Sequence, residues 1–131
     1  MIFNRKDYPM DYGKELILDI HSCDTSLFTR ERIYVFMVKL CELINMERCE
    51  FHIWDDLDLP ENERQTSAQT KGTSAVQFII TSNITIHTLD LLGNVYLNIF
   101  SCKNFDELNA AEFCEKFWAG KIVSLFTIYR K

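Results

Sequence analysis

Between residues 74 and 102 apolar and polar side chains alternate with little interruption, and this pattern constrains the fold more than any other stretch. Ile84 and Ile86, then Val95, Leu97 and Ile99, alternate with Asn83, Thr85 and His87 and with Tyr96, Asn98 and Phe100. A period of two is the mark of a strand with one buried face. Between the runs lies Leu91-Leu92-Gly93-Asn94, where Gly93 can take the positive φ that tight hairpins need. An apolar strand over residues 74–80 comes directly before, so the segment predicts a meander. If the hairpin folds about Leu92, Ser82 and Cys102 face each other across two strands. Register alone then brings two reactive groups together.

The flanking segments add helices and further strands. Residues 15–21 fit a first strand, followed by the polar turn Ser22-Cys23-Asp24-Thr25-Ser26. A helix over residues 29–45 carries Ile33, Phe36, Met37, Leu40, Cys41 and Ile44 at spacings of three and four, so one face packs and the other is wet. A strand over residues 49–54 leads into a polar, acidic stretch broken by Pro60, which reads as a long surface loop of the functional or mobile kind. Asn104 with Glu107 three residues on resembles a capping box and predicts a second helix, burying Leu108, Ala111, Cys114, Phe117 and Trp118 and stopped by Gly120. A last strand covers residues 122–129. The order β-α-β-loop-β-β-β-α-β predicts an α+β two-layer sandwich, a mostly antiparallel sheet with two helices on one face.

Length and charge narrow the function. A chain of 131 residues makes one domain, residues 1–131. Its net charge of -5 and scattered Lys and Arg argue against nucleic acid or an anionic membrane as partner. No stretch approaches the roughly 20 apolar residues of a membrane span, and Met1–Pro9 lacks the apolar core of a signal peptide. Five cysteines without CxxC spacing fit reduced thiols and a cytoplasmic location. His21, Cys23 and His52 have no metal-ligand spacing, so no metal site is expected.

Taken singly, Ser82, His87 and Cys102 have structural explanations: a strand-start serine, a satisfied histidine, a small buried thiol. Taken together, with Ser74 one strand earlier, they suggest a site. The chain has no GxSxG elbow around Ser82, no Walker loop and no HExxH helix. A thiol near its reference pKa of about 8.5 and a histidine near about 6.5 can both hand over protons around neutral pH.

Gly72-Thr73-Ser74, then Thr81-Ser82-Asn83-Ile84-Thr85-Ile86-His87-Thr88, then Gly93, then Phe100-Ser101-Cys102 resembles the prokaryotic S-adenosylmethionine decarboxylase proenzymes. Those carry G-x-S, E-S-H-I-[ST]-I-H-T-W-P-E, G-Y and F-T-C at the same spacings. The opening Gly13-Lys14-Glu15-Leu16-Ile17-Leu18-Asp19-Ile20-His21-Ser22-Cys23-Asp24 also looks like the start of that family. The resemblance implies a chain that cuts itself between Thr81 and Ser82. Ser82 attacks the preceding carbonyl, an ester forms, and elimination leaves a pyruvoyl group as cofactor on the new N-terminus. That ketone forms a Schiff base with the substrate amine and serves as electron sink. The resemblance further assigns Ser74 and His87 to self-processing and Cys102 to proton return. It also implies a homodimer with sites near the interface, and it places Asp19 at an acidic position of the family. Because five residues separate Ser82 from His87, a flat strand would put them roughly 16 Å apart on opposite faces, so Ser82 is expected on a bend or bulge.

The chain departs from the family pattern at Thr81 for Glu, at Asn83 for His, and at Leu89-Asp90-Leu91 for the W-P-E that helps hold the nucleoside. Its acidic loop carries no aromatic to stack on adenine. Three functions therefore stand open: an S-adenosylmethionine decarboxylase of spermidine biosynthesis, a pyruvoyl decarboxylase of arginine or ornithine, or a non-cleaving relative acting as a binding or regulatory subunit.

Overall fold

The computed structural model describes residues 11–131; the N-terminal segment read above for a targeting signal lies outside the described residues. Strands and helices follow in the expected order: β1 (Gly13–His21), α1 (Arg30–Leu43), β2 (Arg48–Trp54), β3 (Gly72–Ile79), β4 (Ser82–Leu89), β5 (Asn94–Ser101), α2 (Glu107–Phe117) and β6 (Lys121–Arg130). They form one six-stranded sheet in the order β2-β3-β4-β5-β1-β6, with every neighbouring pair antiparallel. Both helices cover the same face, giving the α+β two-layer architecture.

Alternation decides which face that is. Leu16, Leu18 and Ile20 of β1, Ile84 and Ile86 of β4, and Val95, Leu97 and Ile99 of β5 are buried against Ile33, Phe36, Met37 and Leu40 of α1. Ala110, Ala111 and Cys114 of α2 and the fully buried Trp118 complete the core. Each large apolar side chain so buried contributes about 1.5–3 kcal/mol before the cost of ordering it. Thr29 starts α1 by accepting the Arg32 N–H at 3.1 Å. No helix among the described residues is long and apolar enough to cross a membrane.

Three local expectations are corrected. The cap of α2 is Asp106, which accepts the Asn109 N–H at 3.0 Å, not Asn104. Phe105 is buried just before it, so the helix cannot begin until that ring is placed, and a carboxylate suits the positive helix end better than an amide. Leu108 is consequently exposed, Ala110 takes a buried position, and Phe117 is only partly buried. The left-handed residue that ends α2 is Ala119 at φ 51°, while Gly120 sits where a Cβ would meet Cys23 Sγ at 2.6 Å.

The third correction concerns the hairpin. The closing pair of β4 and β5 is Leu89 with Asn94, and Ser82 stands opposite Ser101 rather than Cys102. Four residues, Asp90 to Gly93, make the connection, with Gly93 at φ 70°. An even number of turn residues puts the pivot between Leu91 and Leu92, so the register shifts by one.

The acidic segment is held in place rather than loose. Arg30 donates to both Asp55 oxygens at 2.5 Å. Asp56, only 3 % exposed, accepts the Gln65 N–H at 2.6 Å and Lys71 Nζ at 2.9 Å. Arg64 donates to the Leu57 and Leu59 carbonyls. These bonds lower the Asp55 and Asp56 carboxyls below the usual range, through Arg30 and Lys71 respectively.

Candidate active site

The sheet face away from the helices carries Ser74 and His87. Cross-strand pairing sets one row of side chains across it: Trp54 of β2, Ser74 of β3, His87 of β4, Tyr96 of β5, Asp19 of β1 and Ser124 of β6. Paired residues share a face of a sheet, so five pairings bring together six residues drawn from the whole chain. Within the row, Ser74 Oγ and His87 Nδ1 lie 2.6 Å apart in a hydrogen bond. Gly72 permits the close approach of β3 to β4 beside this pair, since a Cβ there would stand 1.9 Å from the Thr88 carbonyl oxygen.

A cavity of about 340 Å³ opens beside Ser74 and His87. Its other walls are Trp54, Gln65, Gln69, Thr70, Thr73 and Leu89. Trp54 is 56 % exposed, so its ring is available to a ligand. The acidic loop does lack an aromatic of its own, but β2 supplies one immediately before it. Apart from His87 the walls carry no ionisable side chain, and two carboxamides provide both donors and acceptors.

Ser82 and Cys102 occupy the opposite end of β4 and β5. Ile80 and Thr81 form a two-residue turn closed by the pair Ile79 and Ser82. Both turn residues are β-branched and neither has a positive φ, although tight hairpin turns ask for one. The irregularity falls on the next residue. Ser82 has φ 153°, a conformation that is rare outside glycine and costs about 1–3 kcal/mol. The pairing of β4 with β3 and β5 nevertheless runs to Ser82 without a bulge, so in place of the expected bend or bulge only this backbone angle is irregular. The Thr81 carbonyl accepts the Cys102 N–H at 3.0 Å, and Asn83 Nδ2 donates to Ser82 Oγ at 3.2 Å. Cys102 is exposed.

Ser74 and His87 thus form a hydrogen-bonded pair, whereas Ser82 pairs with Ser101 and Cys102 lies one residue further on. Within one chain the pairs stand roughly 16 Å apart along β4, at about 3.3 Å per residue. Asp19 lies in the row with His87, two strands away.

A model of the S-adenosylmethionine decarboxylase family matches residues 14–131. The chain belongs to that family. Its fold is similar to the crystal structure of the adenosylmethionine decarboxylase from Aquifex aeolicus vf5, with a TM-score of 0.70 and 15 % identity over 92 % of this chain and 91 % of that one. No curated protein sequence matches the chain. At that identity the likeness to the Aquifex decarboxylase is one of architecture, and the site of this member of the family rests on its own residues.

Sequence reasoning singled out the serines, histidine and cysteine but missed Trp54, Tyr96 and the two glutamines. A Trp at the end of an alternating strand, opposite a motif serine, was the available signal. The glutamines had none, because the fold of the loop decides where they point.

Proposed function

We propose that this chain is a pyruvoyl-dependent S-adenosylmethionine decarboxylase that processes itself between Thr81 and Ser82. The observation that carries this reading is the Thr81–Ser82 peptide itself: a strained serine directly follows a carbonyl already held by a backbone donor. Ser82 Oγ adds to the Thr81 carbonyl carbon, and the negative charge that develops on the Thr81 oxygen is met by the Cys102 N–H. The C–N bond breaks, the hydroxyl proton passes to the freed amine, and Thr81 becomes an ester of Ser82. Loss of the Ser82 α-proton expels Thr81 as a carboxylate and leaves a dehydroalanine. Water then releases ammonia and leaves the pyruvoyl terminus. Breaking the amide also frees the φ strain at Ser82, so the strained state is the uncut one.

The pyruvoyl carbonyl, when present, supplies the electron sink for decarboxylation. The remaining work belongs to the side chains. The Cys102 thiol, exposed one residue beyond Ser101, the register partner of Ser82, returns a proton to the carbon that lost carbon dioxide. The Ser74 hydroxyl orients the His87 ring for the proton steps of processing.

One chain cannot bring His87 to Ser82. A second copy, apposed about a two-fold axis across the open sheet face, brings the His87 end of one β4 toward the Ser82 end of the other, since a two-fold axis normal to the strands reverses their direction. The open face carries Phe78, Phe126 and Ile128 exposed, an apolar surface suited to such a contact. We therefore take the working particle to be a homodimer.

For the substrate, the cavity favours a nucleoside sulfonium over a basic amino acid. Trp54 offers a face for a planar ring and Gln65 and Gln69 offer edge hydrogen bonds, whereas a guanidinium or terminal ammonium would need a carboxylate the walls lack. Carbon dioxide release measured with S-adenosylmethionine, arginine and ornithine tests this. Turnover of S-adenosylmethionine alone is expected. Release from arginine or ornithine without S-adenosylmethionine turnover contradicts the substrate assignment.

A further inference from the structure

The hydroxyl of Thr81 is tied into a directional chain of hydrogen bonds that ends at a thioether. The Lys103 N–H donates to Ser101 Oγ at 3.0 Å, Ser101 Oγ donates to Thr81 Oγ1 at 2.7 Å, and Thr81 Oγ1 donates to Met46 Sδ at 3.4 Å. Ser101 Oγ also lies 3.5 Å from Met46 Sδ, so both hydroxyls reach the same thioether. Ser101 is fully buried and Met46 nearly so, so the middle of the chain is shielded from water.

Packing alone does not fix the turn. Ile80 is 67 % exposed, and a cavity of about 300 Å³ lies against Ile80 and Thr81 on the side of Met46 and Lys103. The Ile80 N–H is held by the Glu47 carbonyl at 3.1 Å, so the freedom left in the turn is that of Thr81, and if it swings its carbonyl leaves the Cys102 N–H. A chain fixed at β5 through Ser101 and at the α1–β2 turn through Met46 prevents this.

We infer that Thr81, Ser101 and Met46 form a clamp that positions the acyl side of the scissile peptide, making Ser101 and Met46 positioning residues for self-cleavage. The inference rests on the self-processing reading above. The clamp acts before the ester forms, since it holds the carbonyl that Ser82 Oγ must reach while the strain at Ser82 is still present. The Thr81 hydroxyl, which stands where the family has a carboxylate, is then the part of this chain that replaces it as a tether.

The test compares the full-length parent with Thr81→Val, Thr81→Ser and Ser101→Ala, following conversion to two pieces by denaturing mass spectrometry. Valine keeps the shape of threonine and removes only the hydroxyl. Thr81→Val and Ser101→Ala are expected to cleave about tenfold more slowly, the rate equivalent of about 1.4 kcal/mol, while Thr81→Ser cleaves near the parental rate. Hydroxylamine, which cuts an accumulated ester, is expected not to restore Thr81→Val, because the defect precedes the ester. Thermal melting separates a positioning role from general damage: Thr81→Val keeps the parental melting temperature within a few degrees. Parental cleavage by Thr81→Val, or its rescue by hydroxylamine, overturns the clamp alone. A parent that never cleaves overturns the clamp together with the processing reading beneath it.

Discussion

At Cys102 the proposed roles divide between backbone and side chain. The N–H holds the Thr81 carbonyl at 3.0 Å, and the thiol is exposed. Substitution should therefore split the two. Cys102→Ala retains its N–H, so the chain is expected still to part between Thr81 and Ser82, whereas carbon dioxide release falls by roughly 10²–10⁴, the usual worth of a positioned proton donor. Mass spectrometry and a decarboxylation assay on the same preparation read both steps. A Cys102→Ala chain that stays whole would move the thiol itself into the processing chemistry. Cys23 and Cys41 differ in kind: burial pushes their thiols up to about 11, which leaves them poor nucleophiles near neutrality.

Among the elements, the segment between β2 and β3 governs the cavity wall. Asp56 bonds both Lys71 and the Gln65 N–H, and Gln65 lines the cavity. Because the folded Asp55 and Asp56 carboxyls titrate below their unfolded value of about 3.9, they add stability above that value and lose it as pH falls through their folded values. Asp90 works the other way: burial raises its carboxyl, so its share is present at low pH and lost as pH rises through the folded value. Melting curves between about pH 7 and pH 2 should fall on acidification in the parent. Asp56→Asn should melt lower at neutral pH and lose less on acidification. Parallel curves for the two proteins would remove Asp56 from this role.

The elements also show what the sequence could and could not convey. Strands and α1 were legible because burial of one face writes a period of two or near 3.6 into the residues themselves. The hairpin register was not, since Asp90 to Gly93 could turn about a residue or between two, and only the closing pair of Leu89 and Asn94 decides. Asn104 and Asp106 both look like helix caps, and the burial of Phe105 chooses between them. Asp56 read as surface because its partner Lys71 lies 15 residues on. At the site, Ser74, Ser82, His87 and Cys102 stood out as motif positions. Trp54 became visible only through its pairing with Ser74, a contact 20 residues apart in sequence.

For the whole molecule, the open sheet face is the unfinished part. It carries the row from Trp54 to Ser124, exposes Phe126 at 61 %, and keeps Ser82 and His87 at opposite ends of one strand. The proposed dimer across it would bring the His87 end of one copy to the Ser82 end of the other. The central claim is that this chain cuts itself and makes its own cofactor. Mass spectrometry of the freshly purified protein, first native and then denatured, tests it most directly. The account predicts a particle of two copies that separates on denaturation into residues 1–81 and residues 82–131, the latter starting with a pyruvoyl group in place of Ser82. An intact 131-residue chain with Ser82 unchanged would contradict it.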